Sequence, residues 1–474
     1  MKTRCNTPAS VGSWNALVLA LALAAGISST ALASIIHLPP GTANSGAIPI
    51  GSGTGEAPPD EWSFVPFSDT SCGDPGTTAG ISFYPSSTAT KDHLLIYFVG
   101  GGYCYNYNTC YNMRYGHATR GFFGIVSNLH GIVANSPPHA ETVLQNNNAA
   151  DGNPFTDWSK VFVFYCTGDF HTGNNVATYR DPSGISHTIN HVGYANGKKY
   201  LSRLKATFCT GTACTMPAPS QIVVAGSSAG GFGAVWNLQQ IRDQFNIAAS
   251  RIQIIDDVGP YMRTPYWTAS LQAKMANSWW GTGAGSIPVV CTNAGNNCDP
   301  RTGGEFNALL MDLHTEFPNL RASLITGSAD GIISSGFSRQ TYGPPDNRPP
   351  YAPKPCGNAS AGDCLPDGYE GLQVGPRYKL HGYFCTKALP DYTGSQPAGF
   401  KSFEITTPQV WSGKAYGPGY HQWLYNSPLN LVHAVDATLL SDFLSGELSG
   451  TGTAWEDHIY TASNASTTCR GLSF

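Results

Sequence analysis

A chain of 474 residues, 41% hydrophobic and 12% charged, has ample apolar surface for a large core, which excludes an intrinsically disordered protein. A formal net charge of −4 with no basic stripe argues against nucleic acid as a partner. The 54 glycines and 33 prolines describe long loops, as in large α/β enzymes that use this length as one domain.

Residues 1–33 read as a cleaved secretory signal. Lys2 and Arg4 form a basic start, Ala16 to Ile27 an apolar stretch, and Ala31-Leu32-Ala33 a small-x-small cleavage site. The apolar stretch is too short for a membrane anchor, and no later segment is long enough to span, so no stable membrane insertion is expected. Without Lys2 and Arg4 the mature chain holds 24 bases against 30 acids, about −6. Periplasm and external medium use the same kind of signal.

Cysteine usage fits that export. Of 13 cysteines, Cys5 leaves with the signal. The close pairs Cys104/Cys110, Cys209/Cys214, Cys291/Cys298 and Cys356/Cys364 read as small disulfide loops. Cys72, Cys166, Cys385 and Cys469 remain for longer links. No C-x-x-C pair occurs and the histidines are scattered, so no metal or cofactor is implied.

Residues 34–62, rich in Gly, Pro and Ser, read as an extended segment leading into a single catalytic domain over 63–474. Apolar runs at 93–99, 161–165, 221–225, 251–255 and 322–326 predict strands. Helical patterns fall at about 191–206, 230–245, 303–316 and 430–445. Fully apolar strands separated by helices predict an α/β fold, a mostly parallel central sheet flanked by helices with long disulfide-stapled loops. Residues 340–400 have no clear period and read as an insertion that either borders the site or decorates the surface.

Within this pattern, Ile222 to Trp236 reads as a buried strand, then the G-x-S-x-G of Gly226-Ser227-Ser228-Ala229-Gly230, then a helix of small and apolar residues. That order describes a nucleophile elbow, with Gly226 and Gly230 keeping side chains away from the bend at Ser228. A glycine-packed helix beside an incidental serine would share the pentapeptide but not its flanking strand and helix. A serine hydroxyl needs a histidine to take its proton and an acid to orient that histidine. In α/β-hydrolases these follow in the order Ser, Asp, His. Asp330, beyond the 322–326 strand, is the leading acid, with Asp256 and Asp257 as competitors. His421 in Gly417-Pro-Gly-Tyr-His421 is the leading base, ahead of His433 in a helical pattern and His381. Ala229 and the loop Gly100-Gly101-Gly102-Tyr103 supply the backbone N–H groups of an oxyanion hole, through Gly101, Gly102 and Ala229. Tyr103, Trp279 and Trp280 are expected to bind substrate through aromatic faces, against the alternative that they are packing residues.

These segments together resemble the pectin acetylesterase family, which includes the Notum-type carboxylesterases. Gly100-Gly-Gly-Tyr-Cys104-Tyr-Asn106 with Cys110 resembles that family's GGG-aromatic-C-x-N loop and following cysteine. Asn153-Pro-Phe-Thr-Asp-Trp158 and Tyr165-Cys-Thr-Gly-Asp169 resemble its NP-x-x-x-W and YC-x-G-D segments, and Gly226-Ser-Ser-Ala-Gly-Gly231 its G-x-SAGG elbow. The resemblance covers roughly 65–430. It implies cofactor-free cleavage of carboxylic esters, with Ser228 as nucleophile, Asp330 as acid, His421 as base, and Gly101, Gly102 and Ala229 as oxyanion donors. It also implies Cys104–Cys110 and Cys72–Cys166 as disulfides. The 340–400 insertion and the region around 270–300 depart from the pattern.

The reading is a secreted or periplasmic serine carboxylesterase, expected to be a monomer, that removes O-acetyl groups from a pectin-like polysaccharide. Longer acyl, lipid or polyester substrates are the alternative. A glycan-binding protein on a hydrolase frame is the alternative of another class, and it has no need of an intact Ser-Asp-His set.

Overall fold

The computed structural model describes residues 34–35, 46–112, 143–144, 152–262, 267, 269–283, 285, 287–327, 330, 333, 399–405, 409–411, 414–416, 423–426, 429–434, 436–450 and 456–458. The signal segment, most of the 340–400 insertion, Cys356, Cys364, Cys385 and Cys469 lie outside them.

The strands are β1 (Ser34–Ile35), β2 (Ser63–Phe67), β3 (Ala79–Tyr84), β4 (His93–Phe98), β5 (Ser159–Val163), β6 (Asn175–Arg180), β7 (Ser186–His191), β8 (Gln221–Ser227), β9 (Ile252–Asp257), β10 (Arg321–Gly327), β11 (Phe400–Ile405), β12 (Gln409–Trp411) and β13 (Lys414–Tyr416). The helices are α1 (Gly193–Thr207), α2 (Ala229–Phe245), α3 (Ala269–Trp280), α4 (Ala308–Glu316), α5 (Trp423–Asn426) and α6 (Leu440–Ser449).

A nine-stranded sheet runs β1-β2-β3-β5-β4-β8-β9-β10-β11. From β5 to β11 every neighbour is parallel, and β3 runs against both β2 and β5. The fold is thus the α/β architecture expected from the apolar runs. Ile222, Val223, Val224 and Ala225 are buried in succession because the sheet is covered on both faces. The chain steps from β4 out to β5 and then crosses to β8 on the other side of β4. That reversal puts a topological switch point at the carboxyl ends of β4 and β8, where open α/β sheets hold ligands.

All five expected strands form. Sequence reading missed β2, β3, β11 and the β6–β7 hairpin. The expected 303–316 helix begins only at Ala308, because Gly303 (φ +95°) and the Gly304 N–H bonded to Asp299 O make a turn first. The expected 430–445 helix begins only at Leu440. The Gln409 side chain takes both the N–H and the C=O of His433, which a helix would need. Among the described residues four disulfides join Cys72–Cys166, Cys104–Cys110, Cys209–Cys214 and Cys291–Cys298. Among the described residues no helix is long and apolar enough to cross a membrane.

Candidate active site

Ser228 stands between β8 and α2 at φ 59°, ψ −125°, a backbone conformation that L-residues rarely hold. Three contacts fix it there. Its N–H donates to Asp257 O (2.8 Å), and its own carbonyl accepts from Gly231 and Phe232 (2.9 and 3.3 Å). Its hydroxyl does not cap α2. The residue is buried, 7% exposed. The two motif glycines are steric necessities. A Cβ on Gly226 would lie 2.2 Å from Gly230 O, and one on Gly230 would lie 1.9 Å from Phe98 O. Ala229 is the first helical residue, so its N–H belongs to the set that a helix leaves without an internal partner.

The triple-glycine loop leaves β4 beside this elbow, since Phe98 pairs in register with Gly226. Gly102 takes φ +78°, which a residue with a side chain would resist. Residues 165–171 hold the loop from behind. The Tyr165 hydroxyl donates to Gly102 O (2.9 Å), Cys104 N–H donates to Gly168 O (2.8 Å), and His171 Nε2 meets Val99 O (2.9 Å). Burial lowers His171 to about 4, so the imidazole is neutral at neutral pH and donates this bond through Nε2–H. Phe170 and His171 both have positive φ, and Asp169 beside them holds the bend. Its carboxylate accepts from the Thr167 hydroxyl (2.6 Å) and from the N–H groups of Gly193 (2.8 Å), His171 (3.1 Å) and Gly173 (3.2 Å). Burial pushes the Asp169 carboxyl up to about 6, while these donors pull it down.

Of the candidate acids, Asp330 follows β10 at the same sheet edge and is fully buried. Its carboxylate accepts from Ile333 N–H at 3.0 Å. Two strand spacings separate β8 from β10, about 10 Å, a gap that an imidazole between the two side chains can bridge. Asp256 and Asp257 leave β9 on opposite faces. Asp256 turns toward α2, accepts from Gly259 N–H (2.8 Å), and is raised well above the usual carboxylate range, chiefly by burial. Asp257 turns toward α5 and accepts from Trp423 N–H (3.0 Å) and Leu424 N–H (2.9 Å). Ser227 Oγ also donates to Asp257, and the Tyr97 hydroxyl bonds Ser227.

His421 and His381 lie outside the described residues. His433 is exposed and sits in a bridge to Leu439 rather than in a helix. A His–Asp pair that sequence reading missed joins His458 Nδ1 to Asp436 Oδ2 at 2.7 Å. It lies beyond β11, where His458 bridges Phe403. Four strand spacings, about 19 Å, separate it from β8, so it does not serve Ser228.

The aromatic residues expected to meet substrate are packing residues. Tyr103, Trp279 and Trp280 are 4%, 1% and 2% exposed. Tyr103 packs on Phe170, Trp279 donates its Nε1–H to Cys104 O (2.7 Å), and Trp280 stacks on Trp236. Through its bond to Cys104 O, Trp279 braces the segment that follows the triple glycine. Cys104, Cys110 and His191 bring metal-ligating atoms within 4.8 Å of one another. The two sulfurs are bonded to each other, and the His191 ring nitrogens meet Thr167 O and the Tyr179 hydroxyl, each at 2.8 Å. The group therefore offers no thiolate to a metal.

Residues 66–282 match the family model described as pectinacetylesterase. The palmitoleoyl-protein carboxylesterase Notum of Schmidtea mediterranea is 26% identical over 174 residues, 36% of this chain and 28% of that protein. The Drosophila melanogaster protein of the same name is 26% identical over 232 residues, 47% of this chain and 31% of that protein. The chain thus spans about a third of the length of these curated relatives. A solved structure of the Wnt deacylase Notum from Drosophila aligns with 85% of this chain and 97% of its own, at 16% identity and a TM-score of 0.49.

Proposed function

We propose that this chain, whose residues 66–282 match the pectinacetylesterase family model, is a secreted serine carboxylesterase. The observation that carries the reading is the backbone of Ser228, held at φ 59° between a buried strand and a helix N-terminus. Such strain persists only where the surroundings enforce it, and in a nucleophile elbow it lifts one hydroxyl above the sheet.

The chemistry follows from the parts. His421 takes the Ser228 proton as the oxygen attacks the ester carbonyl, and Asp330 holds the imidazole in the tautomer that accepts it. The developing oxyanion is met by N–H groups of Ala229, Gly101 and Gly102, an interaction worth about 10²–10³ in rate per donor. The imidazolium returns the proton to the leaving alcohol. Water then attacks the acyl-serine through the same base and releases the acid. The reading is supported by Asp330 at the correct sheet edge and by the three bonds that hold the loop of Gly101 and Gly102. Export is supported by four disulfides and by the signal-like residues 1–33.

The first substrate class is the O-acetyl ester of a pectin-like polysaccharide, after the family matched over residues 66–282. The palmitoleoyl-protein carboxylesterase activity of the two relatives favours a second reading, a long acyl ester. Rates on p-nitrophenyl esters from acetyl to palmitoyl separate them. A maximum at acetyl, with acetate released from acetylated pectin, supports the first. A maximum at long chains, with no acetate released, replaces it by the second.

A further inference from the structure

α1 and α2 pack against one another, and they come close at Gly197, where a Cβ would lie 3.0 Å from Gln240 Nε2. At the neighbouring turns α2 carries long polar side chains instead of the small or apolar ones that would close the gap. Between Tyr194, Lys198 and Leu201 of α1 and Gln239, Asp243 and Gln244 of α2 a groove of about 520 Å³ stays open. That volume falls among small-ligand pockets, about 300–1,000 Å³. Gln239 lies well inside α2, so the groove begins about 15 Å along the helix axis from its start beside Ser228.

The groove holds its polar groups in fixed places. Gln239 is 8% exposed, and its Oε1 accepts from Val290 N–H at 3.0 Å. That bond fixes the amide. Its Nε2–H₂ has no acceptor among the described residues, which leaves a preset donor for a ligand oxygen. Lys198 Nζ sits 5.0 Å from the centre of the Tyr194 ring and donates to Gly285 O at 3.3 Å. The ammonium keeps further N–H donors, and no carboxylate pairs with it among the described residues. Asp243 is already paired with Arg242 Nη1 at 2.8 Å. The groove therefore carries one uncompensated positive charge beside neutral amides. A uronic acid residue offers the complement: a carboxylate for Lys198, and hydroxyl oxygens for Gln239 and Gln244.

We propose that this groove is a second binding site, outside the catalytic centre, for a uronic-acid stretch of the polysaccharide, which rests on the reading of a pectin-like polymer as substrate. A polymer held there raises the local concentration of its own esters around Ser228. A small ester gains nothing from such tethering, so the groove acts on KM for the polymer alone.

The test titrates an oligogalacturonate without acetyl groups into the full-length mature protein by isothermal calorimetry. Saturable binding is expected, weakened about tenfold in K198M and in Q239E. Q239E keeps an oxygen for Val290 N–H and puts a carboxylate oxygen where the donor was. A neutral oligogalactan should bind far more weakly than the acid. Rates on p-nitrophenyl acetate should be unchanged in both variants, while KM on acetylated pectin rises about tenfold at constant kcat. Should Q239E fail to fold, K198M decides, because Lys198 is exposed. Parental affinity in K198M overturns the site, and so does a parent that does not bind the oligogalacturonate. Equal affinity for the neutral oligogalactan overturns the uronic-acid assignment. A parent that cleaves p-nitrophenyl acetate but releases no acetate from pectin would sink the substrate reading instead. In that case, weaker oligogalacturonate binding by K198M would still support the groove as a sugar-acid site.

Discussion

Gly230 lies so close to the end of β4 that a Cβ on it would fall 1.9 Å from the Phe98 carbonyl oxygen. The contact joins the nucleophile turn to the strand from which the triple-glycine loop departs. Backbone cannot yield as a flexible side chain does, so Gly230→Ala must push the two apart. A loss of about 3 kcal/mol in urea unfolding is expected, with esterase activity lost in the fraction that still folds. Gly226→Ala should behave alike, because its Cβ would fall 2.2 Å from Gly230 O.

Asp169 supports the triple-glycine loop at one remove. Asp169→Ala leaves the buried N–H groups of His171, Gly173 and Gly193 without their acceptor. A cost of about 3 kcal/mol is expected, together with a fall in kcat of about 10²-fold as the loop loses its backing. Asp169→Asn keeps an acceptor oxygen and should be milder on both counts. Urea melts and acetyl-ester kinetics on the two variants check the order.

Acid sensitivity has an assigned source. Burial lowers both His171 and His191 to about 4 from an ordinary 6.5. The unfolded chain therefore binds protons that the folded chain refuses, and stability falls as pH drops from about 6.5 toward 4. Asp169 works the other way. Raised to about 6 from 3.8, it contributes stability that is full below 3.8 and lost as pH rises through 6. His171→Gln isolates one imidazole while keeping an N–H for Val99 O. Its loss of stability between pH 6.5 and 4.5 should be smaller than the parent's, by at most roughly 3 kcal/mol. Thermal melts across that range are the measurement, and equal slopes would contradict the assignment.

The Cys72–Cys166 disulfide closes a loop with a sequence separation of 94 and enters the chain just before the segment that backs the triple-glycine loop. Replacing both cysteines by serine should cost about 4 kcal/mol. Activity should fall with it, because Cys166 directly precedes the residues that carry Asp169 and His171. The six-residue Cys104–Cys110 link constrains far less chain and should cost less.

The inner sheet was legible because its strands are uniform apolar runs, and the elbow because its glycines are demanded by contacts with Phe98 and Gly230. The β6–β7 hairpin was not legible. Asn175-Val-Ala-Thr-Tyr-Arg180 alternates in burial, but Val176 faces outward and Asn175 inward, so its residue types show neither an apolar run nor an apolar-polar alternation. β11 escaped notice because Phe400 follows directly on a long stretch with no period. Tyr103, Trp279 and Trp280 show what sequence leaves undecided. An aromatic side chain beside a glycine loop reads alike whether it faces a ligand or the core, and only packing against Phe170 and Trp236 places these in the core. Asp257 was visible as a competitor acid, but its partners lie 166 and 167 residues away, beyond the reach of local pattern.

The central claim is that Ser228 is the nucleophile, and active-site labelling tests it most directly. The full-length mature protein is treated with a fluorophosphonate and the modified peptide is sequenced by mass spectrometry. The account predicts one phosphonate on Ser228, no labelling and no esterase activity in S228A, and retained labelling in S227A. A label on Ser227 or any other residue, or esterase activity that survives in S228A, would contradict it.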